Sequence, residues 1–218
     1  RFFIQKFLRT ALAKGCTHAV FEVTSQGVVQ HRHRFIDFDA AGLTNLHQEH
    51  IESHGSFEKY REAKVNFFKY VNEHSSKAKK LFLINTDCAD KEFFEKETMQ
   101  GTCVMYSKDI FIGKILEGDV ARVSSWLQSD FNLENAALAA ALGTELGISK
   151  ENILKAFKTF SGVAGRQEWV MGAGRRAVID YALTAESLEA LYAFLKKKLT
   201  TEGKNGKLIA VFGSAGGG

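Results

Sequence analysis

Apolar residues at Phe3, Phe7, Leu8, Ala11 and Leu12 recur at helical spacing, which predicts a helix over residues 2–14 with Gly15 as its stop. A short β-rich run from His18 to Val23 and an apolar stretch from Phe35 to Leu43 predict two strands. Ser56 can cap a helix reaching about Val71, along which Phe57, Tyr60, Ala63, Phe67 and Val71 follow helical steps. Leu81-Phe82-Leu83-Ile84 is apolar throughout, the pattern of a strand buried on both faces. Cys103 to Leu116 and Val120 to Leu127 predict further strands, with turns at Lys108-Asp109 and Glu117-Gly118-Asp119. Leu133 to Leu146, rich in Ala and Leu, and Lys150 to Phe160 predict helices. After a break at Ser161-Gly162-Val163-Ala164-Gly165 come a strand (Ala177 to Tyr181), a helix (Glu186 to Leu199) and an apolar run (Leu208 to Phe212), about one βαβ unit. Alternating strands and helices predict an α/β fold with a mostly parallel sheet flanked by helices.

Composition narrows the function classes. The 218 residues are 45% hydrophobic and 25% charged, an ordinary globular balance. The net charge is only +4, and Lys and Arg are spread out except for Lys196-Lys197-Lys198, at the end of a predicted helix where cations favour the dipole. This gives no basis for a nucleic-acid role. Three cysteines without CxxC spacing point to a reduced, cytoplasmic setting rather than a disulfide framework. No apolar run approaches the ~18 residues of a membrane span, so membrane insertion is not expected. The chain has no proline, whereas average usage of ~5% would give about ten; nothing in the sequence explains this. Arg1 and the terminal glycine run suggest a piece of a longer protein.

Several constellations carry possible chemistry. Glu22 ends a predicted parallel strand, the edge where open α/β sheets bind ligands, and its carboxylate suits either Mg²⁺ or a capping role. The stretch from Thr44 to Gly55 packs Asn45, His47, Glu49, His50 and His54 together. The three histidines at steps of three and four could hold zinc on one helix face, although oxygen-rich neighbours suit magnesium and phosphate better. Arg32 between His31 and His33 could extend a cationic patch. Gly213 and the glycines after it follow an apolar run and could cradle an anion, but G-x-x-x-x-G-K-[ST] is absent. Ser25 and His31 make no hydrolase case without a G-x-S-x-G elbow.

In order, the chain carries Glu22-Val23-Thr24-Ser25-Gln26-Gly27, Gln30-His31-Arg32, Thr44-Asn45 with Glu49-His50 and His54-Gly55, Tyr60 with Ala63-Lys64, and Asn85-Thr86-Asp87. Phe131-Asn132-Leu133-Glu134-Asn135-Ala136, Gly162 through Glu168, Asp180-Tyr181-Ala182 and the final Phe212-Gly213 glycine run follow. In this order the chain resembles the Mur ligase family, closest to its muramoyl-tripeptide-forming branch. The resemblance implies a Mur-ligase-type central domain over residues 1–163, lacking its phosphate loop, and the beginning of a Rossmann-like C-terminal domain over 164–218. It implies an ATP-dependent ligase that activates the carboxylate of a UDP-N-acetylmuramoyl-dipeptide as an acyl phosphate and joins it to an amino acid.

By the same resemblance Glu22, His50 and Lys64 would hold Mg²⁺. Lys64 would act as a carbamate and, with His50, serve catalysis. Thr24, Gln30, Arg32 and Asn45 would grip the muramoyl substrate. Asn132 and Asn135 would meet adenine, and Arg166 and Asp180 the ATP phosphate and ribose. The family's Asp-Tyr-Ala-His-Thr-Pro motif reads Asp180-Tyr181-Ala182-Leu183-Thr184-Ala185 here, and Leu183 offers phosphate no hydrogen bond. Glu49 stands where Asp is common, and Ala164 and Ala185 where proline is usual. With its phosphate loop expected upstream of Arg1, the 218-residue piece is expected to be inactive alone. A non-catalytic binding module or inactive paralogue is the alternative.

Overall fold

The computed structural model describes residues 2–47, 51–203 and 206–213. The elements run α1 (Phe2–Ala13), α2 (Ser25–Val29), β1 (Ala40–Leu43), α3 (Ile51–His54), α4 (Phe57–His74), β2 (Leu81–Asn85), α5 (Lys91–Glu95), β3 (Thr102–Tyr106) and α6 (Lys108–Lys114). Two short 3-10 turns follow at Val120–Arg122 and Ser125–Gln128, then α7 (Asp130–Glu145), α8 (Lys150–Thr159), β4 (Glu168–Gly172), β5 (Arg175–Ile179) and α9 (Ala185–Thr201).

The centre is a parallel sheet in the order β1-β2-β3. All five residues of β2 are buried, and their alternation splits the core into two layers. Leu81 and Leu83 pack with Tyr106, Phe111 and the α7 residues Leu133, Ala136, Ala137 and Ala140. Phe82 and Ile84 point the other way, into Phe67, Phe68 and Val71 of α4 and Phe94 of α5. This helix–sheet–helix sandwich is the expected α/β architecture. Side-chain caps start α4 and α8: the Ser56 hydroxyl accepts from Lys59 N at the start of α4, and the Ser149 hydroxyl from Asn152 N at the start of α8. Close packing fixes Gly101, because a Cβ there would lie 2.6 Å from the Phe82 ring and 2.8 Å from the Lys80 carbonyl oxygen.

Four expectations are corrected. His18 to Val23 forms no strand among the described residues; it is held by side chains, with Phe21 edge-on to Phe38 at 6.0 Å and Val23 against the α4 layer. Phe35 to Leu43 contributes a strand only from Ala40, because residues 31–35 form a turn with His31 at φ 55° and Phe35 at φ 67°. Cys103 to Leu116, expected as strand with a turn at Lys108-Asp109, gives strand β3 before that point but helix α6 after it. Ser107 ends β3 and caps α6 by accepting from Ile110 N at 3.1 Å, so local capping overrides the apolar pattern. Val120 to Leu127 is 3-10 turn rather than strand, with Asp119 capping its start.

Beyond residue 160, β5 and α9 match the expected strand and helix. However, β5 pairs antiparallel with β4 in a hairpin, and residues 206–213 carry no strand. The parallel unit foreseen there is therefore not closed among the described residues. At the other end, α1 is helical as expected but buries none of its residues, and Phe2, Phe3, Phe7 and Leu12 stay exposed. No helix among the described residues is long and apolar enough to cross a membrane.

Candidate active site

The C-terminal ends of the parallel strands gather the chemistry, as elementary α/β geometry requires. The chain leaving β1 is pinned by side chains from the ends of β2 and β3. Tyr106 donates its hydroxyl to the Leu43 carbonyl at 2.6 Å, and Asn85 donates its amide to the Thr44 carbonyl at 2.7 Å. Asn85 Oδ1 also accepts from Asp87 N at 2.9 Å, shaping the turn after β2. Burial pushes the Tyr106 phenol pKa up, with the charge of Glu134 adding to it, so the hydroxyl remains a donor.

A cavity of about 1090 Å³ opens beside this edge, between residues 17–25, β1 and α4. Glu22, Thr24, Asn45 and Lys64 all line it. Thr24 is the cap of α2, its hydroxyl accepting from Gly27 N at 3.0 Å. Next to it the buried Ser25 hydroxyl meets His54 Nε2 at 3.0 Å, and the His54 ring lies 5.5 Å from that of Tyr60. On the following turn of α4, the Lys64 ammonium sits 5.0 Å from the Tyr60 ring centroid. Tyr60 is thus the wall between His54 and Lys64, and it is 1% exposed. Ser25 pairs with His54 rather than His31. Being buried and tied into a helix start, it is a structural hydroxyl and not an exposed nucleophile.

The other expected residues divide. Gln30 and Arg32 lie exposed on the turn after α2 and do not line the main cavity. His50 and Glu49 lie outside the described residues. His47 acts electrostatically on Glu134 whereas His54 faces Ser25, so these two members of the zinc alternative serve different neighbours. Among the described residues no three His, Cys, Asp or Glu side chains group to hold a metal. Glu134, half-buried near the sheet edge, has its pKa raised by burial, offset in part by Lys108, with Asp87 and Asp130 pushing further up and His47 opposing them.

A second cluster joins α7 to the hairpin. Asn132 is buried, and its amide nitrogen donates to the Trp126 carbonyl at 2.8 Å and to Gln167 Oε1 at 2.9 Å. The Trp126 carbonyl can only accept, which fixes the orientation of the Asn132 amide and, through it, that of Gln167. Gln167 Oε1 also pairs with the Ser129 hydroxyl at 3.2 Å, while its own backbone N–H donates to Asp180 Oδ2 at 2.8 Å. Asp180 Oδ1 accepts from Ala182 N at 2.7 Å, so both its oxygens hold backbone. Arg166 is exposed with its guanidinium 5.3 Å from the Tyr181 ring centroid, and its carbonyl accepts from the Trp126 indole at 2.7 Å. Gly165 takes φ 69°, and a Cβ there would fall 2.3 Å from the Tyr181 ring, so only glycine fits. Asn135 is exposed one turn along α7, and Leu183 is 80% exposed. The sequence assigned roles to Asn132, Arg166 and Asp180 but none to Gln167 within the same motif, 1% exposed at φ 44°, on which the tether turns.

Residues 2–143 match the Mur ligase middle domain family. The chain belongs to the Mur ligase family. Among Mur ligases it is 34% identical, over 98% of its length, to the UDP-N-acetylmuramoyl-L-alanyl-D-glutamate--2,6-diaminopimelate ligase of Synechococcus elongatus, of which it covers 44%. It is 32% identical, over 97% of its length, to UDP-N-acetylmuramyl-tripeptide synthetase 2 of Oceanobacillus iheyensis, of which it covers 45%. The chain therefore spans a little under half the length of these Mur ligase relatives. The crystal structure of MurF from Acinetobacter baumannii superposes with a TM-score of 0.58 at 16% identity, over 74% of this chain and 38% of that one, a likeness of fold.

Proposed function

We propose that the chain is the catalytic middle portion, and the start of the following domain, of an ATP-dependent ligase that adds an amino acid to a UDP-N-acetylmuramoyl-dipeptide in cytoplasmic peptidoglycan synthesis. The observation that carries this reading is the single cavity lined by Glu22, Thr24, Asn45 and Lys64, four residues separated in sequence. ATP phosphorylates the substrate carboxylate to give an acyl phosphate and ADP. The amine of the amino acid then displaces phosphate and forms the amide. Thr24, Gln30, Arg32 and Asn45 hold the muramoyl peptide, Asn132 and Asn135 the adenine, and Arg166 and Asp180 the ATP phosphate and ribose. The domain division falls at 163/164, and the remaining parts of the same ligase are the partners of this piece.

The donor chemistry of the cavity suits magnesium. Glu22 offers an exposed carboxylate, and polar groups beside it in a largely apolar lining, Thr24 and Asn45 among them, are oxygen donors with no thiolate. Lys64 as an ammonium repels a cation, whereas its carbamate supplies oxygens. Glu22, His50 and carbamylated Lys64 would hold the ion. When bound, magnesium supplies charge neutralisation on the transferring phosphoryl group.

The test is ADP release in the presence of UDP-N-acetylmuramoyl-dipeptide and an amino acid. The 218-residue chain alone is expected to show none. A longer polypeptide with a strand and G-x-x-x-x-G-K-[ST] ahead of this segment is expected to show release that depends on the amino acid. Lys64→Ala should lower that release by at least about 10–100-fold, the scale for losing a group that only orients a metal ligand. Unchanged turnover in Lys64→Ala removes the assignment, and turnover by the bare chain removes the claim that it is inactive alone. A second reading, a non-catalytic module, draws on Leu183 and on an Asp180 engaged with backbone. It predicts ATP binding without turnover in the longer polypeptide.

A further inference from the structure

The turn after α2 is built under strain and held by side chains from two helices, Gln5 of α1 donating to the Phe35 carbonyl at 3.0 Å and Tyr70 of α4. Within it His31 (φ 55°) and Phe35 (φ 67°) both occupy the left-handed region without being glycine. Its exit is fastened by Tyr70 of α4, whose hydroxyl accepts from Phe35 N at 3.0 Å and lies 3.4 Å from the Ile36 carbonyl. Its middle is plugged by His33, 7% exposed, edge-on to Tyr70 at 4.7 Å and to Phe67 at 6.0 Å. The buried His33 Nδ1 has no hydrogen-bond partner among the described residues. His33 borders a cavity of about 630 Å³.

The charged and titratable groups around that cavity come from every packed element. His31 and Arg34 flank His33 on its own turn. Lys59, Glu62, Lys69, Tyr70, Glu73 and His74 face it from α4, and His54 from α3. Of the acids there, Glu73 lies 3.9 Å from Lys69, and among the described residues no carboxylate hydrogen-bonds to the buried His33 Nδ1.

We propose that His33 is a proton-operated latch: the neutral ring plugs the α2–β1 turn onto Tyr70 and Phe67, and protonation expels it and frees the turn that carries Gln30 and Arg32. The cause is elementary. An imidazolium in this pocket is desolvated beside an arginine and another histidine, with no acceptor for its buried Nδ1–H. Burial, then His31 and Arg34, lower the His33 pKa from 6.5 to about 4. The neutral ring therefore favours the closed turn at all pH values above the ordinary 6.5, and the bias is lost as pH falls toward 4. The consequence for substrate rests on the reading of Gln30 and Arg32 given above; the latch itself does not.

Amide hydrogen exchange of residues 31–36 in the 218-residue chain, corrected for intrinsic pH dependence, tests the latch. One-proton linkage gives a rise in the opening constant of about 15-fold between pH 6.5 and 5.0. His33→Phe, which keeps an aromatic plug without a titrating nitrogen, is expected to flatten that rise, whereas His31→Gln and His74→Gln keep it. A pH-independent opening in the wild type, or an unchanged rise in His33→Phe, overturns the proposal. Should His33→Phe fail to fold, the His33 ring is titrated directly by NMR in the wild type: a ring still neutral at pH 5.5 supports the latch, and titration near 6.5 overturns it. Binding of UDP-N-acetylmuramoyl-dipeptide at pH 7.5 is measured separately, and its absence overturns the substrate reading of Gln30 and Arg32 whatever the exchange shows.

Discussion

β2 and β5 are both five-residue strands rich in apolar side chains, yet they live in different physics. Every residue of β2 is buried, because α4 covers one face and α7 the other. β5 alternates between exposed and half-buried, with β4 as its strand partner and α9 nearby burying only Leu191 and Leu195. The difference teaches that strand sequence alone does not set stability; the number of covered faces does. Phe82→Ala should cost about 3–5 kcal/mol in urea denaturation, and Val178→Ala about 1 kcal/mol. Equal costs would break the contrast.

The two regions meet through the Asn132–Gln167 tether, which sharpens the comparison next. Asn132→Ala leaves the Trp126 carbonyl without its side-chain donor and Gln167 Oε1 with the Ser129 hydroxyl alone, at an expected cost of about 1–3 kcal/mol. Amide exchange should then loosen residues 165–182 while β2 stays protected; uniform loosening would show that the regions are one cooperative unit.

A smaller effect separates them by pH. His33 packs on the β2 side of the molecule, and its pKa is held at about 4 rather than 6.5. The unfolded chain therefore binds the proton more readily, and stability declines as pH falls from about 6.5 toward 4. The loss is about 1–3 kcal/mol after allowance for solvent screening. Thermal denaturation across that range should show the decline, and His33→Phe should remove it.

The smallest effect strengthens the weaker region. Ala185 is the first residue of α9, directly after the Thr184 cap, which is already extended at φ −91°, ψ 158°. Proline suits the first helical position after an extended residue, so Ala185→Pro should stabilise by about 0.4–1 kcal/mol. A lower melting temperature would show that this backbone is not preset for proline.

Much of the covered region was legible in the sequence. β2 announced itself because a strand buried on both faces has no polar position, and α4 because Ser56 precedes a helical apolar stripe. His18 to Val23 misled because a strand needs a ladder partner that periodicity cannot display. Cys103 to Leu116 misled because the Ser107 cap inside it was outweighed by apolar residues on both sides. In the site, the order of short motifs brought Glu22, Thr24, Asn45 and Lys64 together, and they do share a cavity. Gln167 stood within the motif Gly162 through Glu168, but its role did not show. A buried amide whose value lies in reaching Ser129 and Asn132 leaves no trace in local pattern.

The Trp126 indole donates to the Arg166 carbonyl, and a Cβ on Gly162 would sit 2.8 Å from its ring. Its emission colour is therefore tied to whether residues 162–167 remain seated. Since the chain holds just one other tryptophan, Trp169, replacing that residue with phenylalanine turns the protein into its own optical gauge. A red shift would announce the departure of the hairpin region before any catalytic assay could.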